Sequence, residues 1–216
     1  ALAPDSSVLY VADWFADQVL AINTSNLQEQ KAVAIGQAPA GLLVSKNGKR
    51  LYVANRDSND IGVIDTTNLS VIARIAVDKH PYSMALSPSG DVLYAVNVQS
   101  NSVSVINTVG NRVASTIKVG EHPYSVAVSM DGAYIYVTNT QSDNVSVIDT
   151  AQQKVVATIA VGAYPEGIGF DSATQQIYVA SWADNLVSVI DALSNKVIAN
   201  IATGLQSRAF GQFILD

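Results

Sequence analysis

The sequence predicts an all-β fold, a five-bladed β-propeller of four-stranded antiparallel blades, on three observations. Tyrosines stand at positions 10, 52, 94, 136 and 178, always 42 residues apart. Each opens a variant of one phrase, such as Tyr52–Asn55 or Tyr136–Asn139. Every unit also contains four short segments rich in β-branched residues. A period of about 40 residues with four strands per unit is typical of a propeller blade.

The four strands of a unit follow from local composition. The first strand begins at a proline, and a glycine-containing turn leads to the second strand, which is the tyrosine phrase. The third and fourth strands are β-branched runs bounded by Asn, Asp and Gly, which favour strands over helices. The first strands are predicted at 39–45, 81–87, 123–129 and 165–171; the third at 61–65, 103–107, 145–149 and 187–191; the fourth at 71–77, 113–119, 155–161 and 197–203.

The first strand of each unit has one slim face and one bulky face. Its slim positions are Gly41, Ser83, Ser125 and Gly167, and its bulky positions are Leu42, Met84, Val126 and Ile168. Strands that converge on a propeller axis are crowded, so one face must be small where the next blade presses against it. We therefore place this strand innermost.

The two ends of the chain predict how the blades close. Val8–Asp13 is already a second strand, whereas 207–214 has the pattern of a first strand. We expect 207–214 to supply the innermost strand of the blade made by 8–35. The result is a single domain of five repeats over residues 1–216, without exposed sheet edges. The alternative is a fragment of a longer propeller, with both ends open.

Composition excludes several classes of function. The net charge of −6 and the pI near 4.7 argue against nucleic-acid binding, which requires clustered Lys and Arg. Cysteine is absent, so neither disulfides nor thiol chemistry contribute. No apolar run approaches the roughly 18 residues needed to span a bilayer. We expect a monomer without a cofactor that does not insert into membranes.

The phrase Tyr-Val-Thr-Asn at 136–139 resembles the hallmark of the YVTN-type β-propeller repeat family, and residues 145–150 and 159–162 resemble its other blocks. The resemblance covers nearly the whole chain. It implies a secreted or surface-associated protein, located outside the cell, on its surface or in the periplasm. The family includes surface-layer-type proteins, and many of its members have more than five blades.

Positions that break the repeat are the candidates for a binding site. In a propeller the loops between second and third strands, and between one blade and the next, lie on one face, called the loop face below. The two tryptophans fall in the same repeat position, and closure makes their blades neighbours. The candidate residues in these two blades are Trp14, Phe15, Tyr164, Glu166, Trp182 and Arg208.

Aromatic rings beside an Arg and a carboxylate are suited to a partner protein or a carbohydrate, because Trp, Tyr and Arg dominate binding hot spots. The alternative interpretation is purely structural. In it, the tryptophan rings cap the hydrophobic core and Glu166 pairs with Arg208.

Signals for metal binding and catalysis are weaker. His80 and His122 stand in the same phrase, His-Pro-Tyr-Ser, with Glu121 nearby, but two imidazoles do not complete a metal site. The Asp-, Asn- and Ser-rich loops lack EF-hand spacing and are explained by Asx turns. No nucleophile elbow or phosphate-binding loop is present. We therefore predict a non-catalytic binding or scaffolding protein. The alternative is a metal-assisted hydrolase or lactonase at the channel mouth, using His80, His122 and Glu166.

Overall fold

The computed structural model describes residues 1–209, which form 19 strands and no helix, so no membrane-spanning helix occurs in this range. The strands are β1 (Val8–Asp13), β2 (Gln18–Asn23), β3 (Glu29–Ala34), β4 (Pro39–Val44), β5 (Arg50–Asn55), β6 (Asp60–Asp65), β7 (Ser70–Ala76), β8 (Pro81–Leu86), β9 (Val92–Asn97), β10 (Ser102–Asn107), β11 (Arg112–Lys118), β12 (Pro123–Val128), β13 (Tyr134–Asn139), β14 (Asn144–Asp149), β15 (Lys154–Ala160), β16 (Pro165–Asp171), β17 (Gln176–Ser181), β18 (Leu186–Asp191) and β19 (Lys196–Ala202).

The strands form five antiparallel sheets in chain order, which confirms the all-β, five-sheet prediction. Within the described residues β1–β3 form a three-stranded sheet, and β4–β7, β8–β11, β12–β15 and β16–β19 form four-stranded sheets. The register repeats with the sequence: Tyr52 lies opposite Val63, and Tyr136 lies opposite Val147. Each tyrosine phrase therefore has the same place in its sheet.

The chain divides into two compact units. The N-terminal unit comprises Ala1–Ser100 and Ser104–Ser115, and the C-terminal unit comprises Asn101–Val103 and the chain from Thr116 onward. That residues 1–216 form one domain stays a prediction.

Each unit has its own hydrophobic core. In the N-terminal unit Tyr52 and Ile75 of the second sheet pack with Leu93 of the third. In the C-terminal unit Tyr136 of the fourth sheet packs with Ile177 of the fifth, and burial raises the pKa of Tyr136 to about 12. The repeated tyrosine is thus a core residue in both units.

The slim face of the innermost strand is required by a close backbone approach. A Cβ atom on Gly41 would lie 2.0 Å from the carbonyl oxygen of Tyr82 in β8. In the C-terminal unit a Cβ on Gly167 would lie 2.5 Å from the carbonyl oxygen of Ala209. At both positions the absence of a side chain lets a second stretch of backbone lie alongside.

The edge of β1 is partly occupied by the first residues of the chain. Leu2 pairs with Leu9, as Val44 pairs with Leu51 one repeat later. The N-terminal amine also donates to the Tyr10 carbonyl oxygen at 2.9 Å. The closing strand is expected at 207–214, and its part from residue 210 onward lies outside the described residues. Closure therefore stays a prediction.

Candidate functional site

Five residues predicted to lie on the loop face share an unusual left-handed backbone. They immediately precede an innermost strand or its expected start, and their φ angles lie between 50° and 56°: Ala38, His80, His122, Tyr164 and Gln206. Such a conformation costs a non-glycine residue about 1–2 kcal/mol. The first four also precede a proline, which restricts the residue before it to extended backbone. Other interactions must therefore hold these residues in place.

A side chain 21 residues earlier supplies that interaction. Each of the five backbone N–H groups donates to an Asp or Asn Oδ1, at 2.9 Å from Tyr164 to Asp143 and at 2.6 Å from Gln206 to Asn185. We call these five acceptors the Asx clamp: Asp17, Asn59, Asn101, Asp143 and Asn185. The clamp binds only the backbone N–H, so the side chain of the residue that donates it is free to vary.

The sequence interpretation of these loops was incomplete. It assigned their Asp, Asn and Ser residues to local turns, but the clamp residues bond across half a repeat. Ser58 and Ser142 reinforce the clamp from the opposite direction in the sequence. Each lies 21 residues after its donor and accepts from a backbone N–H, that of Gln37 at 2.6 Å and that of Glu121 at 2.8 Å. The constant 21-residue spacing is the signal that could have revealed this role.

Four of the six predicted binding residues come together in the C-terminal unit. We call Tyr164, Glu166, Trp182 and Arg208 the Trp182 cluster. The Tyr164 and Trp182 rings are tilted by 49° with their centroids 5.3 Å apart. The guanidinium carbon of Arg208 lies 4.6 Å from the Trp182 ring centroid, in cation–π contact. Arg208 Nε is 3.7 Å from Glu166 Oε2.

The strands and the clamp set this geometry. The backbone N–H of Tyr164 donates to Asp143, and the backbone carbonyl oxygen of Tyr164 accepts from the backbone N–H of Trp182 at 3.4 Å. Glu166 lies in β16, where its carbonyl oxygen accepts from Thr138 Oγ1 at 3.2 Å. Gly167 follows directly and admits the backbone of residue 209. Arg208 is thereby placed against the indole of the loop that follows β17.

Glu166 is the unusual member of the cluster, because the residue is only 7% exposed. Burial raises the pKa of its carboxyl group, and the nearby Arg208 guanidinium and Trp182 indole N–H offset this only in part. Among residues 1–209, neither Glu166 Oε2 nor Trp182 Nε1 has a hydrogen-bond partner of standard geometry. The indole N–H and the carboxylate are thus near one another without a full hydrogen bond. A buried acceptor and a buried donor stand side by side.

The other two predicted residues lie in the N-terminal unit. Trp14 is partly buried, and the guanidinium carbon of Arg56 lies 5.5 Å from its ring centroid. Arg56 also pairs with Asp57 at 2.5 Å, and Phe15 is 95% exposed. Sequence reasoning missed Arg56 as the partner of Trp14, although it occupies the same repeat position one unit later. A single surface containing all six residues stays a prediction.

The two histidines make separate contacts. His80 Nε2 lies 4.0 Å from Asp57 Oδ1, and His122 Nδ1 lies 3.1 Å from Thr140 Oγ1. In the part of the chain that the structure describes, no group of three His, Cys, Asp or Glu side chains is arranged to hold a metal ion.

Successive antiparallel sheets, four of them four-stranded within residues 1–209 and all following one 42-residue repeat, define the class of β-propellers. Within that class, the sequence model of the lactonase family of seven-bladed β-propellers matches residues 4–113, just over half of the chain. The chain belongs to this family. A model of YNCE-like β-propellers matches residues 84–175. The family description specifies seven blades, whereas residues 1–209 form five sheets.

Two solved structures are similar in fold. Hydrazine synthase of Kuenenia stuttgartiensis matches with a TM-score of 0.70 and 18% identity, over 95% of this chain and 86% of that one. A protein of unknown function from Desulfotomaculum acetoxidans matches with a TM-score of 0.79 and 14% identity, over 95% of this chain and 71% of that one. At these identities the similarity concerns the fold alone. No curated protein matches the sequence.

Proposed function

We propose that the chain is a non-catalytic binding propeller that recognises a partner protein or a glycan through its loop face. The observation that carries the proposal is the Trp182 cluster, in which Tyr, Trp and Arg side chains surround a buried carboxylate. These three residue types dominate binding hot spots. Glu166 Oε2 is buried without a hydrogen-bond partner of standard geometry among residues 1–209, which lowers stability, so its presence is better explained by a ligand than by folding.

The proposal places the protein outside the cytoplasm, secreted, on the cell surface or in the periplasm. The support is the resemblance of the repeat at 136–139 to the YVTN-type phrase. Expression with and without an export signal, followed by fractionation, tests the location separately from the binding role.

The family name favours lactone hydrolysis as a second candidate. A hydrolase needs a general base within reach of a water or a nucleophile, together with groups that stabilise the developing charge. The carboxylate of Glu166 faces Arg208 and an indole, and His80 and His122 contact Asp57 and Thr140. No acid–base set converges among the described residues, so binding is the better supported function.

The binding role is tested by probing the purified chain against a glycan array and a peptide array. We expect the wild type to bind elements of one array and Trp182→Ala to lose them. Leu193→Ala is the matched control, because Leu193 is 85% exposed on a turn between third and fourth strands, away from the loop face. Binding that persists in Trp182→Ala, or no binding by the wild type, would reject the proposal.

The catalytic alternative is tested on the same preparations with a sugar-acid δ-lactone and with metal analysis. We expect hydrolysis no faster than in buffer and no stoichiometric metal. Turnover that is lost in Glu166→Gln, or a bound ion that is lost when His80 and His122 are replaced, would instead establish the enzyme.

A further inference from the structure

We infer that the Trp182 cluster is a saccharide-binding site, in which one sugar hydroxyl bonds both Glu166 and the Trp182 indole N–H while the sugar ring stacks on Tyr164. This inference rests on the proposed function and names the ligand class of that same site. It follows from the donor and acceptor groups of the cluster, its exposed aromatic face and its charge.

The unsatisfied polar atoms select the ligand chemistry. Glu166 Oε2 can only accept a hydrogen bond when ionised, and Trp182 Nε1 can only donate one. A hydroxyl group both donates and accepts at a single oxygen, so one hydroxyl satisfies both atoms. A carboxylate or a fully ionised phosphate has no proton to donate to Glu166, and an ammonium group cannot accept from the indole. A peptide group carries its donor and its acceptor on different atoms.

The aromatic surface of the site belongs to Tyr164. The Trp182 ring has Arg208 4.6 Å from its centroid and Tyr164 5.3 Å from it. The Tyr164 residue is 46% exposed and is fixed by the Asx clamp. A pyranose ring has an apolar C–H face that packs on such a ring and hydroxyls at its rim that reach neighbouring polar groups. Tyr164 therefore provides the platform, and Glu166 and Trp182 provide the polar wall.

Charge favours a neutral saccharide. Arg208 and Glu166 balance one another at 3.7 Å, so the site carries little net charge, and the chain as a whole has a net charge of −6. An acidic sugar would approach a negative protein without an uncompensated cation to bind it. The Arg208 side chain is 46% exposed, and its remaining N–H groups can donate to a second hydroxyl adjacent to the first.

The test measures binding of two probes, cellotriose and mannotriose, by isothermal titration calorimetry and saturation-transfer NMR. We expect at least one trisaccharide to bind the wild type and its per-O-methylated form not to bind, because methylation removes the donor that Glu166 requires. Glu166→Gln should weaken binding by about tenfold, the loss expected for a hydrogen bond to a charged group. Tyr164→Phe should bind normally, whereas Tyr164→Ala should not.

Trp182→Phe keeps an aromatic ring but removes the indole N–H together with the five-membered part of the ring. We expect it to bind more weakly than the wild type and more tightly than Trp182→Ala. Circular dichroism establishes that each variant is folded. If neither trisaccharide binds, or if Glu166→Gln or the methylated probe binds as well as the reference, the inference is overturned. Binding of peptides alone, lost in Trp182→Ala, also overturns it but leaves the proposed function intact.

Discussion

Trp14 and Trp182 occupy the same position of the repeat, yet the structure surrounds them differently. Trp14 meets only the Arg56 guanidinium, 5.5 Å from its ring centroid, among the ring contacts of residues 1–209. Trp182 meets both Arg208, at 4.6 Å, and the ring of Tyr164, at 5.3 Å. Arg56 pairs with the exposed Asp57, whereas Arg208 faces the buried Glu166. A guanidinium group lies over each indole ring, but only the one over Trp182 also faces a buried carboxylate.

The difference arises in the innermost-strand position that follows the proline. Arg208 stands in the repeat position that Ala40 occupies in the N-terminal unit, and a methyl group is too short to reach an indole. The cation over Trp14 therefore comes from Arg56, one repeat after Trp14 itself. The two tryptophans thus differ in the repeat position that supplies the cation and in whether a carboxylate lies beside that cation.

The largest effect is expected from Gly41→Ala, which breaks the backbone approach in the N-terminal unit. Its Cβ would lie 2.0 Å from the Tyr82 carbonyl oxygen, and both strands are held in their sheets. Overpacking of this kind costs about 1–3 kcal/mol. Urea denaturation followed by circular dichroism should show a lower midpoint. An unchanged midpoint would contradict the close approach of β4 and β8.

Gly167→Ala is the equivalent change in the C-terminal unit and should cost less, about 1 kcal/mol. Its Cβ would meet the Ala209 carbonyl oxygen at 2.5 Å, but residues 207–209 are not in a strand and can move away. Arg208 should then leave the indole. In a Trp14→Phe background, the emission of Trp182 reports this directly. A stability loss equal to that of Gly41→Ala with unchanged emission would argue against the expected movement.

Arg208→Ala and Arg56→Ala compare the two stacked cations directly. Loss of Arg208 removes a cation–π contact and the counterion of a buried carboxylate, so we expect a loss of about 0.5–1 kcal/mol. Loss of Arg56 removes an exposed ion pair and a more distant stack, so we expect less than about 0.5 kcal/mol. Thermal unfolding of both variants measures the difference. Equal losses would mean that Glu166 draws no support from Arg208.

Glu166→Gln should stabilise the folded chain slightly at neutral pH, by about 0.5 kcal/mol, because an ionised group no longer has to be buried. Since folding raises the pKa of Glu166, the folded state binds a proton more tightly than the unfolded state. The free energy of unfolding of the wild type therefore falls as pH rises through that pKa. The advantage of the variant should disappear in acid, below the ordinary pKa of Glu. Asp57→Asn removes an exposed carboxylate near Trp14 and serves as the control for the change in net charge.

The strands could be predicted closely because every repeat restates the same constraint. The fourth strand expected at 71–77 is observed at Ser70–Ala76, and the first expected at 39–45 is observed at Pro39–Val44. The grouping of Tyr164, Glu166, Trp182 and Arg208 was also predicted, since all four depart from the repeat at its loop positions. The geometry confirms their proximity, but their role in binding stays a proposal.

The Asx clamp could not be predicted from residue identity alone. Its acceptor is a side chain, but its donor is a backbone N–H that almost every residue has, so only the constant spacing of 21 residues could have indicated the pair. The pairing of Leu2 with Leu9 was likewise missed, although a shift of 42 residues from Val44 and Leu51 indicates it. Both cases are relations between positions, which single-segment patterns do not reveal.

The clamp has a consequence for how such a chain can acquire new specificities. The clamp residues accept hydrogen bonds only from backbone N–H groups. They therefore give the residue 21 positions later the same backbone conformation, whatever its side chain. The same left-handed backbone carries a methyl group at Ala38, an imidazole at His80 and a phenol at Tyr164. The side chain at this position can therefore change, in evolution or by protein engineering, without changes to the β-sheet that carries it.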